Sequence, residues 1–226
     1  MLIYHGEADV KLDDNDEVKI LTDEQRKLII DAALNMSDKR LITLHTTILL
    51  ALATGMREGE ILGLMPKYVD LEHKEIKIRK TLDKVIIYDE NHNAIGYKLV
   101  LADPKTKASV RTIPLPGFII PILEKYEFGN TVVFETENGT FIDPRNQYRG
   151  WERFLKRLKI PPIKFHALRD TYASLLFRSG ATLKEVQELL GHADHDTTIK
   201  IYISTFPEDK EKRVAQLNSI FSFKTE

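Results

Sequence analysis

Apolar and polar residues recur along this chain with two periods, and these divide it into three stretches. From Leu21 onward the helical period dominates. In LTDEQRKLIIDAALN, residues Leu28, Ile29, Ala32 and Ala33 fall on one helix face, and Thr22 with Gln25 three places later reads as a capping box. A second helix is expected from about Asp38 to Thr54. KRLITLHTTILLALAT is apolar around most of its circumference, as a core helix is, and Gly55 suits its left-handed cap. A short third helix, REGEILGL, follows directly.

The middle changes to period two. KEIKIRKTL alternates as one half-buried strand, with YKLVLAD and RTIPLP as two more. DENHNAIG turns the chain between the first two, and PKTKASV forms a hairpin turn between the others. One small antiparallel sheet is expected. Helix returns at about residues 117–126. TVVFETENGTFI reads as a hairpin turned at Asn138-Gly139. Asp143 and Pro144 are an N-cap and first-turn pair opening RNQYRGWERFLKRL. FHALRDTYASLLFRSGATLKEVQELLGHADHDTTIKIY then supplies two helices split at Gly180, the second capped by Thr182 and Glu185, and a third around TTIKIYIS. A last amphipathic segment runs from Pro207 to Phe221. The fold class is α+β, mainly helical with a small antiparallel sheet.

Composition narrows the class. Hydrophobic residues make up 42 % of the 226, enough for a real core, and the absence of cysteine excludes disulfides and thiolate metal sites. No apolar run reaches membrane-spanning length, so an intracellular soluble protein without a membrane partner is the simplest reading. The net charge of −1 argues against a uniformly basic surface, but the charge is unevenly spread. Residues 1–20 carry six acids against two lysines and read as a linker or tail, leaving 21–226 as the packed domain. Residues 145–169 carry eight bases against Glu152 alone, a phosphate-binding face or simply a solvated helix surface.

Four local patterns carry polar residues suited to phosphate chemistry: ATGMREGEILGL with Arg57, PKTKASVRTIPL with Lys105 and Lys107, HALRDTYAS with His166 and Arg169, and LLGHADHDTTIKIY with His192 and Tyr202. Each alone has a plain explanation. Arg57 could pair with Glu60 in its own helix, the lysines could keep a turn soluble, and the tyrosine could be half-buried packing. Their joint order is more telling. The chain resembles the catalytic domain of a tyrosine recombinase, of the phage and conjugative-transposon integrase family, over about Leu21 to Phe221. The resemblance implies that fold and six catalytic residues: Arg57, Lys105, His166, Arg169, His192 and Tyr202. It also implies site-specific recombination for integration or excision of a mobile element, through a 3′-phosphotyrosine intermediate.

Elementary chemistry agrees with that set. Two arginines neutralise a transferring phosphate, His166 one turn before Arg169 exchanges a proton near neutral pH, Tyr202 is the nucleophile, and Lys105 protonates the leaving hydroxyl. Arg57 at a helix start adds backbone donors for an anion. Glu60 is expected to orient the basic side chains, and Lys107, Arg111, Arg145, Arg149 and Arg153 to contact DNA. Asp170, beside Arg169, departs from the histidine of many relatives. His195 completes no metal spacing, and neither metal nor cofactor is implied.

The implied partners are double-stranded DNA and further recombinase subunits, as a tetramer on two sites, with an excisionase or a host DNA-bending protein besides. The implied location is cytoplasmic, in a bacterial or phage-encoded setting. The 207–221 segment suits packing on a neighbouring subunit. Lacking room for further DNA-binding domains, the chain reads as an isolated catalytic domain or a short recombinase that binds DNA weakly and salt-sensitively. A type IB topoisomerase or telomere resolvase would use the same chemistry to another end. A non-catalytic DNA-binding module of the same fold is the remaining alternative.

Overall fold

A computed structural model describes residues 18–206, apart from 36, 37, 39, 40 and 192–194. Most of the acidic 1–20 segment, the 207–221 segment and His192 therefore lie outside the described residues. Helix α1 (Asp23–Leu34) begins at the expected capping box, with Thr22 accepting from the Gln25 N–H and the Gln25 side chain accepting from the Thr22 N–H. Ile29 and Ala33 are its buried residues, whereas Leu28 stays half exposed. Packing reaches back before Leu21, because Val18 and Ile20 also touch the core.

Helix α2 (Ile42–Thr54) starts later than the sequence suggests. It is buried continuously from His45 to Thr54, which accounts for its nearly all-apolar circumference. Gly55 caps it at φ +63. A Cβ there would lie 2.4 Å from the Tyr172 ring, so both the backbone and the close approach require glycine. Helix α3 (Glu58–Leu62) follows after Gly55, Met56 and Arg57.

The strands differ from expectation. KEIKIRKTL is not one strand: β2 (Glu75–Ile78) pairs with β1 (Val69–Asp70) and β5 (Arg111–Pro114), while β3 (Thr81–Tyr88) pairs with β4 (Ala94–Ala102) in a separate two-stranded sheet. Arg79 and Lys80 carry the chain from one sheet to the other. The Lys105–Lys107 segment is consequently no hairpin turn; it bridges the two sheets and ends in a 3₁₀ turn over Lys107–Ser109. Asn138-Gly139 does turn the chain, with Gly139 at φ +69, but only one isolated bridge, Glu135 to Phe141, flanks it.

Helix α4 (Ile120–Lys125) leads on to α5 (Pro144–Arg157), whose first turn is capped by Asp143. Then come α6 (Ala167–Arg178), α7 (Leu183–Leu190) and α8 (His195–Thr205). The Thr182–Glu185 capping box of α7 is present. Among the described residues two apolar clusters result. The larger joins α1, α2, α4, α5 and the three-stranded sheet, and includes fully buried Trp151. The smaller joins the later part of α6 with α7 and α8 through Tyr172, Phe177, Val186, Leu190 and Ile201. Along α6, Leu168 belongs to the first cluster and Tyr172 to the second. Arg169 stands between them.

Candidate active site

The site is built where helix ends meet. Gly55, the cap of α2, and Leu189, Leu190 and Gly191, at the end of α7, turn their carbonyls toward three guanidiniums. Arg169 donates from Nη1 to the Gly55 carbonyl at 2.6 Å and from Nη2 to that of Leu190 at 2.8 Å. Arg111 donates from Nε to Leu189 at 2.7 Å, and Arg57 from Nη2 to Gly191 at 3.2 Å. Helix C-termini carry about half a unit of negative charge each, so they are suited to hold cations. Gly191, at φ +69, leaves no room for a Cβ, which would lie 2.7 Å from the Ala108 carbonyl.

One carboxylate ties the cluster together. Glu60 is 3 % exposed and accepts from Arg111 through both oxygens, at 2.9 Å each. It also accepts from Arg57 Nη1 at 2.8 Å and from the Arg57 backbone N–H at 2.9 Å. Burial alone would raise its pKa, but hydrogen bonds and charge from Arg111 and Arg57 more than offset this, and the carboxyl lies below its usual range. The backbone donor at the start of α3, expected to serve an anion, is thus taken by the protein's own carboxylate.

Three guanidiniums meet a single directly bonded carboxylate, Glu60, with Asp170 beside Arg169 as a further acid whose charge also acts on that guanidinium. Arg57 is the most accessible of the three, with 36 % of its side chain exposed. Arg169 is 1 % exposed, and its Nε–H is sealed from solvent without a hydrogen-bond partner. Burial, then the Arg57 charge, lowers this guanidinium to about 9, still protonated at neutral pH.

Arg111, expected to contact DNA, is 8 % exposed and donates to Glu60, Leu189 and Ser109. Its place on β5 explains this: Arg111 and Ile113 alternate inward while Thr112 and Pro114 face out.

His166 precedes the first turn of α6 with about half of its side chain exposed. Packing on its other side, then the charges of Arg169, Arg57 and Lys164, lower the ring to about 4. It is therefore neutral at pH 7, not poised to titrate there as its ordinary value would suggest. Lys105 is exposed in the loop after β4, and among the described residues no hydrogen bond or ion pair joins it to the cluster. Tyr202 is half buried on α8, its ring edge-on to Phe177 at 5.1 Å and against Phe206 at 5.3 Å. Phe177 lies eight residues beyond Arg169 on α6, about 12 Å along the helix axis. Arg145, Arg149 and Arg153 are exposed at intervals of four along α5, and Lys107 is exposed as well.

Glu58 was not singled out in the sequence. Its Oε1 is buried without a hydrogen-bond partner, and burial raises the carboxyl to about 7. A raised folded-state value means that stability is lost as pH rises from 4.5, the ordinary value, through about 7. Glu58→Gln should remove that slope and gain about 1–3 kcal/mol at pH 8. Urea unfolding of both proteins at pH 5 and pH 8 checks this; equal pH slopes would contradict it.

Comparison with known proteins places this geometry among relatives. The sequence profile of the phage integrase family matches residues 19–208. The chain is 38 % identical over 222 residues to a XerC-like tyrosine recombinase of Caldanaerobacter subterraneus subsp. tengcongensis, across 91 % of this chain and 55 % of that protein. It is 26 % identical over 183 residues to the ICEBs1 integrase of Bacillus subtilis, across 75 % of this chain and 47 % of that protein. The chain thus spans about half the length of these relatives. Among solved structures, the Tn1549 transposon integrase in complex with circular intermediate DNA superposes with a TM-score of 0.68 at 22 % identity, covering 88 % of this chain and 68 % of that one. The catalytic domain of bacteriophage HP1 integrase superposes at 0.55 with 18 % identity, covering 91 % and 98 %.

Proposed function

Since the chain belongs to the phage integrase family, we propose that it cleaves and rejoins double-stranded DNA as the catalytic part of a site-specific recombinase. The carrying observation is the cluster of three guanidiniums, directly bonded to one carboxylate, between Gly55, Gly191 and the start of α6. In this reading Arg57 and Arg169 hold the oxygens of the scissile phosphate, and His166 and His192 make hydrogen bonds to the reacting groups. Glu60 and Arg111 hold Arg57 in place. The Tyr202 hydroxyl oxygen attacks phosphorus as its proton passes to His166, the P–O5′ bond breaks, and Lys105 gives a proton to the leaving 5′ oxygen. The product is a 3′-phosphotyrosine and a free 5′-hydroxyl. Attack by a partner strand's 5′-hydroxyl reverses the step, so no nucleotide is consumed.

Pairing of strands requires other subunits, and the working assembly in this proposal is a tetramer on two DNA sites in the cytoplasm. An excisionase or a host DNA-bending protein would set its direction. Integrases in complex with DNA among the structural relatives support DNA as the partner.

The test uses the full chain and a randomised library of nicked duplexes, in which loss of a short 5′-hydroxyl fragment traps the cleaved state. Covalent adducts that survive denaturation are sequenced, and the modified peptide is mapped by mass spectrometry. An adduct at Tyr202 supports the proposal; no adduct from the library rejects it. The exposed α5 arginines give a second prediction. Replacing Arg145, Arg149 and Arg153 together by Ala should lower the slope of log affinity against log salt by about 2–3, since each phosphate contact contributes about 0.9. Fluorescence anisotropy at several salt concentrations reads this; an unchanged slope would place the DNA on another face.

A further inference from the structure

Asp170 stands next to Arg169 and is not accounted for by the mechanism above. It lies four residues after His166, so the two side chains share a face of the first turn of α6. His166 Nε2 and Asp170 Oδ1 are 3.7 Å apart, and the aspartate side chain is 13 % exposed. Among the described residues, His166 is the only basic side chain within ion-pair distance of Asp170. The separation is about 0.8 Å longer than a hydrogen bond, a gap that a half-exposed ring closes by a small rotation.

A neutral imidazole has one N–H and one lone pair, and its neighbours decide which nitrogen carries the proton. We propose that Asp170 is a positioning residue that keeps the His166 proton on Nε2, so that Nδ1 meets the reacting groups as a hydrogen-bond acceptor. This rests on the strand-cleavage reading of the same site. An acceptor there takes the Tyr202 hydroxyl proton as the oxygen bonds to phosphorus. Lys105 protonates the departing 5′ oxygen, and the imidazolium formed is accompanied by the Asp170 carboxylate. The reverse step returns both protons.

The surroundings keep Asp170 responsive. Burial raises its carboxyl to about 6, against the opposing charge of Arg169. The other charges acting on His166 are Arg169 on its own helix, Arg57 and Glu60 from α3, and Lys164 from the preceding loop. Near neutral pH, Asp170 is an anion and accepts from Nε2–H. Below about pH 6 it is protonated, donates to Nε2, and moves the ring proton to Nδ1.

The tautomer is read directly by long-range ¹H–¹⁵N NMR of the full chain labelled in its histidine rings, with His166 assigned from His166→Gln. The wild type should be Nε2-protonated at pH 7.5 and shift toward Nδ1 protonation by pH 5. Asp170→Asn should lose the Nε2 preference at both values, and Asp170→Glu should restore it. On nicked DNA, Asp170→Asn should slow adduct formation about 10–100-fold and abolish the acid limb of the rate near pH 6. A wild-type tautomer that does not change with pH overturns the proposal, even if Asp170→Asn fails to fold. So does an Asp170→Asn protein with the wild-type tautomer or rate. Absence of any wild-type adduct would instead reject the strand-cleavage reading, while the NMR result still decides whether Asp170 holds His166.

Discussion

Glu60→Gln is expected to destabilise the protein by about 3–5 kcal/mol and to stop adduct formation. The cost follows from what the carboxylate holds. Four donors converge on its two oxygens, two from Arg111 and two from Arg57, in a place that is 3 % exposed. A glutamine keeps one acceptor oxygen and turns an NH₂ group toward the donors that met the other. It also leaves the buried Arg111 charge without its counter-charge, and breaking a buried pair from one side costs about 3–5 kcal/mol. The helix-end carbonyls remain, but they carry only partial charges. Because the folded-state pKa of Glu60 is lowered, its contribution is present above the ordinary carboxylate value and is lost as pH falls through the folded one. The wild type should therefore approach the stability of Glu60→Gln in acid. Urea unfolding of both proteins at pH 7 and at a series of values descending from pH 4.5 measures this. A difference under about 1 kcal/mol at pH 7 would show that the helix ends alone hold the arginines.

The features legible in the sequence were those whose cause is local. Thr22 with Gln25, Thr182 with Glu185, and Asp143 with Pro144 each define a helix start within four residues, and all three appear where expected. Gly55 was legible as a cap, though not the approach of Tyr172, more than 100 residues away, that also requires it. Features set by distant partners were not legible. KEIKIRKTL alternates throughout, but alternation does not say which strand lies alongside, so its division between two sheets stayed hidden.

The burial of Arg111 was not drawn from the sequence for a related reason. A basic residue in a lysine-rich stretch looks exposed, yet its spacing of two from Ile113 already placed it on the buried face of β5. The carbonyls of Gly55, Leu190 and Gly191 have no side-chain signature at all. Of the six acceptors that hold the arginine cluster within the described residues, five are backbone carbonyls, those of Leu189 and Ser109 among them, and could come only from the fold. Asp170 was visible as a departure from relatives, but its nearness to His166 depends on how the first turn of α6 sits.

The largest expected effect on activity comes from a single oxygen atom. In Tyr202→Phe the ring that packs against Phe177 and Phe206 is retained, together with its place beside the α6–α8 core. The folded state should lose no more than about 1 kcal/mol, the contribution of one hydroxyl's hydrogen bonding. DNA binding should remain within about twofold, since the arginines that neutralise phosphate are untouched. Adduct formation should vanish entirely, because phenylalanine has no atom able to bond to phosphorus and no later step can replace it. These three readings separate the nucleophile from a packing residue. A packing role alone predicts that Tyr202→Phe behaves as the wild type. In that case Tyr202→Ala would be the damaging change, through loss of its contacts with Phe177 and Phe206. Thermal unfolding, anisotropy and the nicked-duplex trap, run side by side on Tyr202→Phe and Tyr202→Ala, decide between them. A covalent adduct formed by Tyr202→Phe would move the nucleophile to another residue and leave the arginine cluster in need of a different partner.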